Sequence, residues 1–206
     1  MLLLLGSRPP PELPCGPDDP LALEAIEDRA PPGWRSLVIA DRQAGTAGFP
    51  ALARTDAAAS ADLFRAEPLG EALIGDAGPV ERVVLCLVFS NPVEGREAEF
   101  NDWYSRRHLP DVLRVPGYLS AQRFSLESGD GVALPNWRYL AVYEVDRANY
   151  AAALAEVAAR SGTDLMPISD AAARPLSAHF HMPAGRRLLP RGLANSLNLT
   201  VAANGG

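Results

Sequence analysis

The chain has 206 residues, enough for one large domain or two small ones. Its 48% hydrophobic and 21% charged residues exclude a mainly disordered protein. A net charge of −6, a pI of about 5.1 and the lack of a basic run speak against nucleic acid or an anionic membrane as partner. All nineteen basic residues are arginine, which removes Schiff-base lysine chemistry, pyridoxal phosphate attachment and the phosphate-loop lysine.

In chain order, Met1–Leu5 is apolar, too short for a signal peptide or a membrane span, and is followed closely by Pro9, Pro10 and Pro11; it is expected to be a strand. Trp34 to Arg42 reads as a second strand, and an alanine-rich helix is expected after Asp56. Residues 67–81 read as loop, so the fourth strand of this half has no visible place. Arg82 to Ser90 is a continuous Val- and Leu-rich run, the mark of a buried strand, with Cys86 as an inert buried thiol inside it. Cys15 lies in a Pro-rich loop. Two cysteines with no adjacent histidine argue against a disulfide framework or a cysteine zinc site and fit a reduced, cytoplasmic setting.

Glu97 to Leu113 has helical character interrupted at Pro110, and Pro116-Gly117 forms a turn. Tyr118 to Leu126 and Trp137 to Val145 read as the strands of a hairpin joined across Gly129 and Gly131. Asp146 caps a helix over Arg147 to Arg160, and Ser177 to Met182 is a last short strand. Strand, helix, strand, strand, helix, strand is the split βαβ, ferredoxin-like order. The first half repeats it in degenerate form. At an offset of 84 positions Met1–Leu5 falls on Leu85–Phe89, and Pro32-Gly33-Trp34 falls on Pro116-Gly117-Tyr118. Past the hairpin the offset is 90, and Leu52–Asp56 falls on Val142–Asp146. The expected organisation is a degenerate unit over 1–80, a second unit over 81–183 and a tail over 184–206 outside both.

The most informative stretch is Glu99-Phe100-Asn101-Asp102-Trp103-Tyr104-Ser105-Arg106-Arg107-His108-Leu109-Pro110-Asp111, followed by Val115-Pro116-Gly117-Tyr118 and Arg123. On a helix Tyr104 and His108 share a face, Asp111 lies three residues beyond, and Trp103 and Arg107 form the neighbouring row. Histidine gives and takes protons near neutral pH, a tyrosine beside it donates to a substrate oxygen, and an aspartate can orient the ring. The alternative is that His108 and Tyr104 only pack and cap the helix end before Pro110. At the 84 offset His108 falls on Glu24, so only the second half has the aromatic–histidine set, and one working pocket is expected there.

This stretch resembles the EthD-like proteins of the dimeric α+β barrel superfamily. The resemblance implies an α+β fold in which two ferredoxin-like units pair their antiparallel sheets into a barrel with the helices outside, here as tandem copies within one chain. It does not fix the reaction, because members include isomerases, polyketide cyclases, decarboxylases, cofactor-free monooxygenases and haem enzymes.

Other residues extend the candidate site. His179 and His181 are two apart on a strand and share a face; they offer a second proton-transfer group, and with His108 a weak metal set that lacks a matching carboxylate. Trp137, Tyr139 and Tyr143 fall on one strand face, as pocket walls or as core, and Arg123 offers a hold for a carboxylate or phenolate oxygen. With no dinucleotide fingerprint, phosphate loop, nucleophile elbow or HExxH, the sequence reads as a lyase or isomerase without organic cofactor or metal, acting on a small, apolar, oxygenated molecule. In this reading His108, Tyr104, His179 and His181 are catalytic, and Trp103, Arg123, Trp137, Tyr139 and Tyr143 bind substrate. The other readings are a haem-binding or oxygen-using enzyme of the same superfamily and a non-catalytic binding subunit. The expected state is a monomer or a homodimer, the dimer slightly favoured.

Overall fold

The computed structural model describes residues 2–6, 21–31, 34–41, 61–76, 78–128, 137–189 and 197–202. The strands are β1 (Leu2–Gly6), β2 (Leu21–Ala25), β3 (Ser36–Asp41), β4 (Ala61–Pro68), β5 (Leu73–Ile74), β6 (Val83–Ser90), β7 (Tyr118–Ser128), β8 (Tyr139–Asp146), β9 (Leu176–His181) and β10 (Leu197–Ala202). The helices are α1 (Glu97–Trp103), α2 (Leu109–Leu113) and α3 (Tyr150–Arg160), with a π turn over Tyr104–His108 joining the first two.

All ten strands belong to one sheet of order β10-β4-β1-β3-β2-β9-β6-β8-β7-β5. Its pairings are antiparallel except for β1 on β10. The sheet curls until its flanks meet, because β4 also pairs with β7 from Phe64↔Ser128 to Pro68↔Phe124. One face, the inner, is shared by strands of both halves; the other, the outer, is covered in the second half by the helices. β6 shows why its sequence reads as an unbroken apolar run. Val83, Leu85, Leu87 and Phe89 fill the inner core, while Val84 and Cys86 lie under the helices. Each such fully buried large side chain contributes about 1.5–3 kcal/mol.

In the second half the strands lie in the order β9-β6-β8-β7, with α1 and α2 between β6 and β7 along the chain and α3 between β8 and β9. The turn before β7 requires its glycine. Gly117 has φ +99°, and a Cβ there would lie 3.1 Å from Asn149 Cβ and 3.2 Å from Ala153 Cβ on α3. Asp146 organises the turn ahead of α3 instead of capping it, accepting from Ala148 N–H at 3.1 Å and from Asn149 Nδ2 at 2.6 Å. The hairpin over Gly129 and Gly131 lies outside the described residues, as do Cys15 and the Leu52–Asp56 match.

The first half departs from the sequence alignment. Ser36–Asp41 lies between β1 and β2, a place that β8, and not the strand from Tyr118, has between β6 and β7. Leu21–Ala25, aligned with the His108 helix, is a strand, and Glu24 pairs with His181. Glu24 and His108 are therefore not equivalent positions. The start of the alanine-rich stretch expected to be a helix, 57–60, lies outside the described residues; from Ala61 the chain is β4, the fourth strand that the sequence left unplaced. Pairing with β7 and β10 overrides the strong helical preference of its alanines. The segment after 184 also joins the sheet, since β10 pairs with both β4 and β1.

One charged residue faces the inner core. The phase that turns Leu140 and Val142 inward does the same to Glu144, which is 0% exposed. Its carboxylate accepts from Ser120 Oγ at 2.6 Å and Arg187 Nε at 2.7 Å on one oxygen. The other oxygen accepts from the backbone N–H groups of Leu188 at 2.5 Å and Leu189 at 3.2 Å. Glu144→Ala is expected to lower the unfolding free energy by about 3–5 kcal/mol, because Arg187 is left without its carboxylate and two buried N–H groups lose their acceptor. Arg187→Ala should cost less, since three donors still hold the carboxylate. Urea melts of the two variants check this, and equal costs would contradict it.

Candidate functional site on the outer face

The helix over β6 to β8 is irregular where the sequence is richest. Pro110 has no N–H to give to the carbonyl four residues back, and Leu109 N–H donates to Tyr104 O, five back. The wider turn changes which side chains meet. Trp103 stacks on His108 instead of running in a row with Arg107, with ring centroids 4.7 Å apart at 28°. Tyr104 meets the same imidazole edge-on at 4.9 Å and 81°. Arg107 turns away to Asp111 Oδ2 at 2.7 Å and to Asp164 O at 2.9 Å. Asp111, with a buried side chain, holds Arg107 and Arg114 and not the His108 ring.

His108 Nδ1 is buried without a hydrogen-bond partner. Burial lowers the His108 pKa to about 4; the Asp111 charge opposes this and the Arg123 charge adds to it. The imidazole is therefore neutral at physiological pH. Tyr104 is buried against Phe100 at 5.5 Å, and burial raises its pKa, so its hydroxyl keeps its proton. Tyr143 Oη, from β8, lies 3.4 Å from Tyr104 Oη.

Arg123 projects from β7 beneath this helix and is 2% exposed. Its guanidinium carbon lies 4.5 Å from the Tyr104 ring centroid and 5.3 Å from those of Phe100 and Tyr139. It donates to Asn101 Oδ1 and Ser105 Oγ, both at 2.8 Å, and to Asn101 O at 3.3 Å. Every partner is neutral. Asn101 and Ser105 belong to the candidate site through these bonds and are absent from the sequence-based set, although their spacing of four on the helix that holds Tyr104 is a usable signal. The Tyr139 hydroxyl is tied to Glu97 and accepts from Asn101 Nδ2 at 3.0 Å, so it fastens the helix to the sheet.

The structure thus brings together His108, Tyr104, Trp103, Arg123, Tyr139 and Tyr143. It separates the other three residues. Trp137 precedes the paired part of β8 and packs on the inner face, 6.3 Å from Phe89, so strand alternation does not carry it to the side of Tyr139. His179 is on the outer face but is opposite Cys86, which is opposite Tyr143. Two strand spacings put it about 10 Å from Tyr143 across the sheet. Its Nδ1 is 2.5 Å from Tyr150 Oη. Burial raises Tyr150 to about 12 and lowers His179 to about 4, so the phenol donates to a neutral ring. His181 is exposed at the end of β9. Among the described residues no three histidine, cysteine, aspartate or glutamate side chains gather to hold a metal, and no helix is long and apolar enough to cross a membrane.

No family model matches the chain, and no curated protein matches it in sequence. It is similar to a solved structure described as an anthrone oxidase-like protein, at 13% identity and a TM-score of 0.45, over 93% of this chain and 95% of that one.

The half-buried His108 and the buried His179 make stability depend on pH. Their folded pKa of about 4 lies below the ordinary 6.5, so their stabilising contribution is complete above pH 6.5 and is lost as the pH falls toward 4. The loss is on the order of 3 kcal/mol for each ring. Urea melts at pH 7 and pH 4 check it: His108→Gln and His179→Gln should each flatten the pH slope, and an unchanged slope would contradict the burial account.

Proposed function

We propose that the chain is an acid–base enzyme, an isomerase, lyase or cyclase working without an organic cofactor on a small, largely apolar, oxygenated molecule. The observation that supports this best is the buried group on the outer face: a neutral His108 with an unpartnered Nδ1, in ring contact with a protonated Tyr104, beside an Arg123 held only by neutral groups. We read the fold behind it as two tandem ferredoxin-like units, over 1–80 and 81–183, of the EthD-like type. The strand order of each half supports that reading, as does the Trp103-Tyr104…His108-Leu109-Pro110…Val115-Pro116-Gly117-Tyr118 pattern.

In this reading a neutral imidazole takes a proton from the carbon next to a carbonyl. The electron pair moves to the carbonyl oxygen, where Arg123 and the Tyr104 hydroxyl meet the developing charge. The protonated ring then returns its proton to another carbon, which isomerises the substrate, or to a leaving hydroxyl, which dehydrates it. Trp103 and Tyr143 are walls, and Tyr139, Asn101 and Ser105 position Arg123. His179 and His181 are outside this mechanism, one engaged by Tyr150 and the other exposed.

The test is turnover of phenolic, polyketide-like and terpenoid compounds, with binding measured in parallel. His108→Ala is expected to lower kcat about 10²- to 10⁴-fold while ligand binding is retained. Tyr104→Phe should lower kcat less. Arg123→Lys keeps the charge and loses the fork, and should lower kcat as well. A ligand that binds and is turned over equally by the protein and by His108→Ala would refute the reading. So would binding to the protein with no chemistry on any compound, which would leave a non-catalytic subunit.

With a neutral base of pKa about 4, kcat/KM is expected to fall only below about pH 5 and to stay level from there to neutrality. A pH–rate profile whose acid limb lies near 6.5 would place the base elsewhere.

A further inference from the structure

A second polar feature lies at the end of the sheet where β6 begins and β8 and β9 finish. Arg147 N–H donates to Arg82 O at 3.0 Å, so the two arginines are rooted side by side. His181, the last residue of β9, is opposite Val84. The chain then folds beneath them, with Met182 N–H on Val83 O and Gly185 N–H on Glu81 O, each at 3.0 Å. Arg82, Val83, Arg147, His181, Met182 and Ala184 line a cleft of about 310 Å³.

No carboxylate lines this cleft, and neither arginine forms an ion pair among the described residues. Elsewhere in the same half Arg96, Arg106, Arg138 and Arg160 each hold a carboxylate. The Arg147 guanidinium lies 5.9 Å from the Tyr150 ring centroid, which orients it without neutralising it. Of the nearby acids, Asp146 is engaged by Ala148 and Asn149. Glu81 adjoins Arg82, and Glu24 is opposite His181 across the β2–β9 pairing; neither pairs with either arginine. Arg82 and Arg147, which form no ion pair among the described residues, and His181 therefore line one cleft of a chain whose net charge is −6.

We propose that this cleft binds the phosphate group of a small phosphorylated molecule. Two arginine forks offer paired donors to the oxygens of a tetrahedral dianion, a better match in charge and shape than a monocarboxylate finds there. The cleft is at the small end of the range for ligand pockets, with room for the phosphate and a short attached group. The site stands apart from the His108 group and does not rest on the activity proposed for it.

Isothermal titration of the full chain with inorganic phosphate and with phenyl phosphate, at pH 7 and constant ionic strength set with chloride, tests the proposal. The expected result is saturable binding of both, phenyl phosphate at least as tightly. The Arg82→Gln/Arg147→Gln double variant should weaken it by about tenfold or more. Arg147→Lys, which keeps the charge and has the smaller effect on folding, should weaken it by a smaller factor, and circular dichroism confirms that each variant is folded. Absence of saturable binding, or equal binding by the protein and the double variant, overturns the site. Binding of inorganic phosphate alone overturns the phosphorylated ligand and leaves a site for the free anion.

Discussion

The structure turns on a carboxylate in an apolar place. Glu144 lies on the inner face of the sheet, where an unpaired charge is costly enough to unfold a small domain. It is tolerated because four donors converge on it: Ser120 from the neighbouring strand, and Arg187, Leu188 and Leu189 from the chain beyond β9. The same bonds that satisfy Glu144 therefore draw residues 187–189 into the core, where Leu188 and Leu189 complete the apolar packing. Neither half of the exchange is stable without the other: the carboxylate needs those backbone N–H groups, and the leucines need the carboxylate to fix their approach.

With the inner face filled in this way, the polar chemistry of the second half is on the outer face, between sheet and helices. That position accounts for the electrostatic character of the His108 group. The helix excludes water from His108, Tyr104 and Arg123 together, and exclusion moves each toward its neutral form. Arg123 remains a cation among aromatic faces and neutral oxygens, a state that a negatively charged oxygen would relieve. Asn101 and Ser105 hold its fork, and both belong to the helix that supplies the histidine, so the base and the cation are positioned by one element.

Much of this was legible in the sequence, and the reasons for success and failure differ by residue. β6 was readable because it is buried on both faces and its composition says so. The strand order of the second half followed from turn residues at Pro116-Gly117 and Asp146. Tyr104 and His108 were readable as a pair from their spacing alone. The first half was misread because Leu21–Ala25 and Ala61–Pro68 are strands by virtue of partners distant in sequence, His181 and Leu126 among them. In both segments pairing across the sheet overrides the helical preference of their alanines. Trp137 was misassigned because alternation was extended past the point where pairing begins. Glu144 was invisible for another reason: a single acid in an alternating strand reads as a solvent-facing residue, and only the distant Arg187 shows that it faces inward.

The π turn has a consequence for how such a site arises and is lost. A helix with one extra residue in a turn is out of step with a regular one by about 100° and 1.5 Å from that point on. Everything before Tyr104, including the Phe100 packing and the Asn101 hold on Arg123, is anchored to the sheet independently of that residue. A single-codon deletion within 104–108 would swing the imidazole off its aromatic partners and put Leu109 and Val112 out of register with the core, whereas the matching insertion into a regular helix would bring the ring in. The placement of the histidine is thus a property of chain length as much as of residue type, open to change by one insertion or deletion without any substitution in the core.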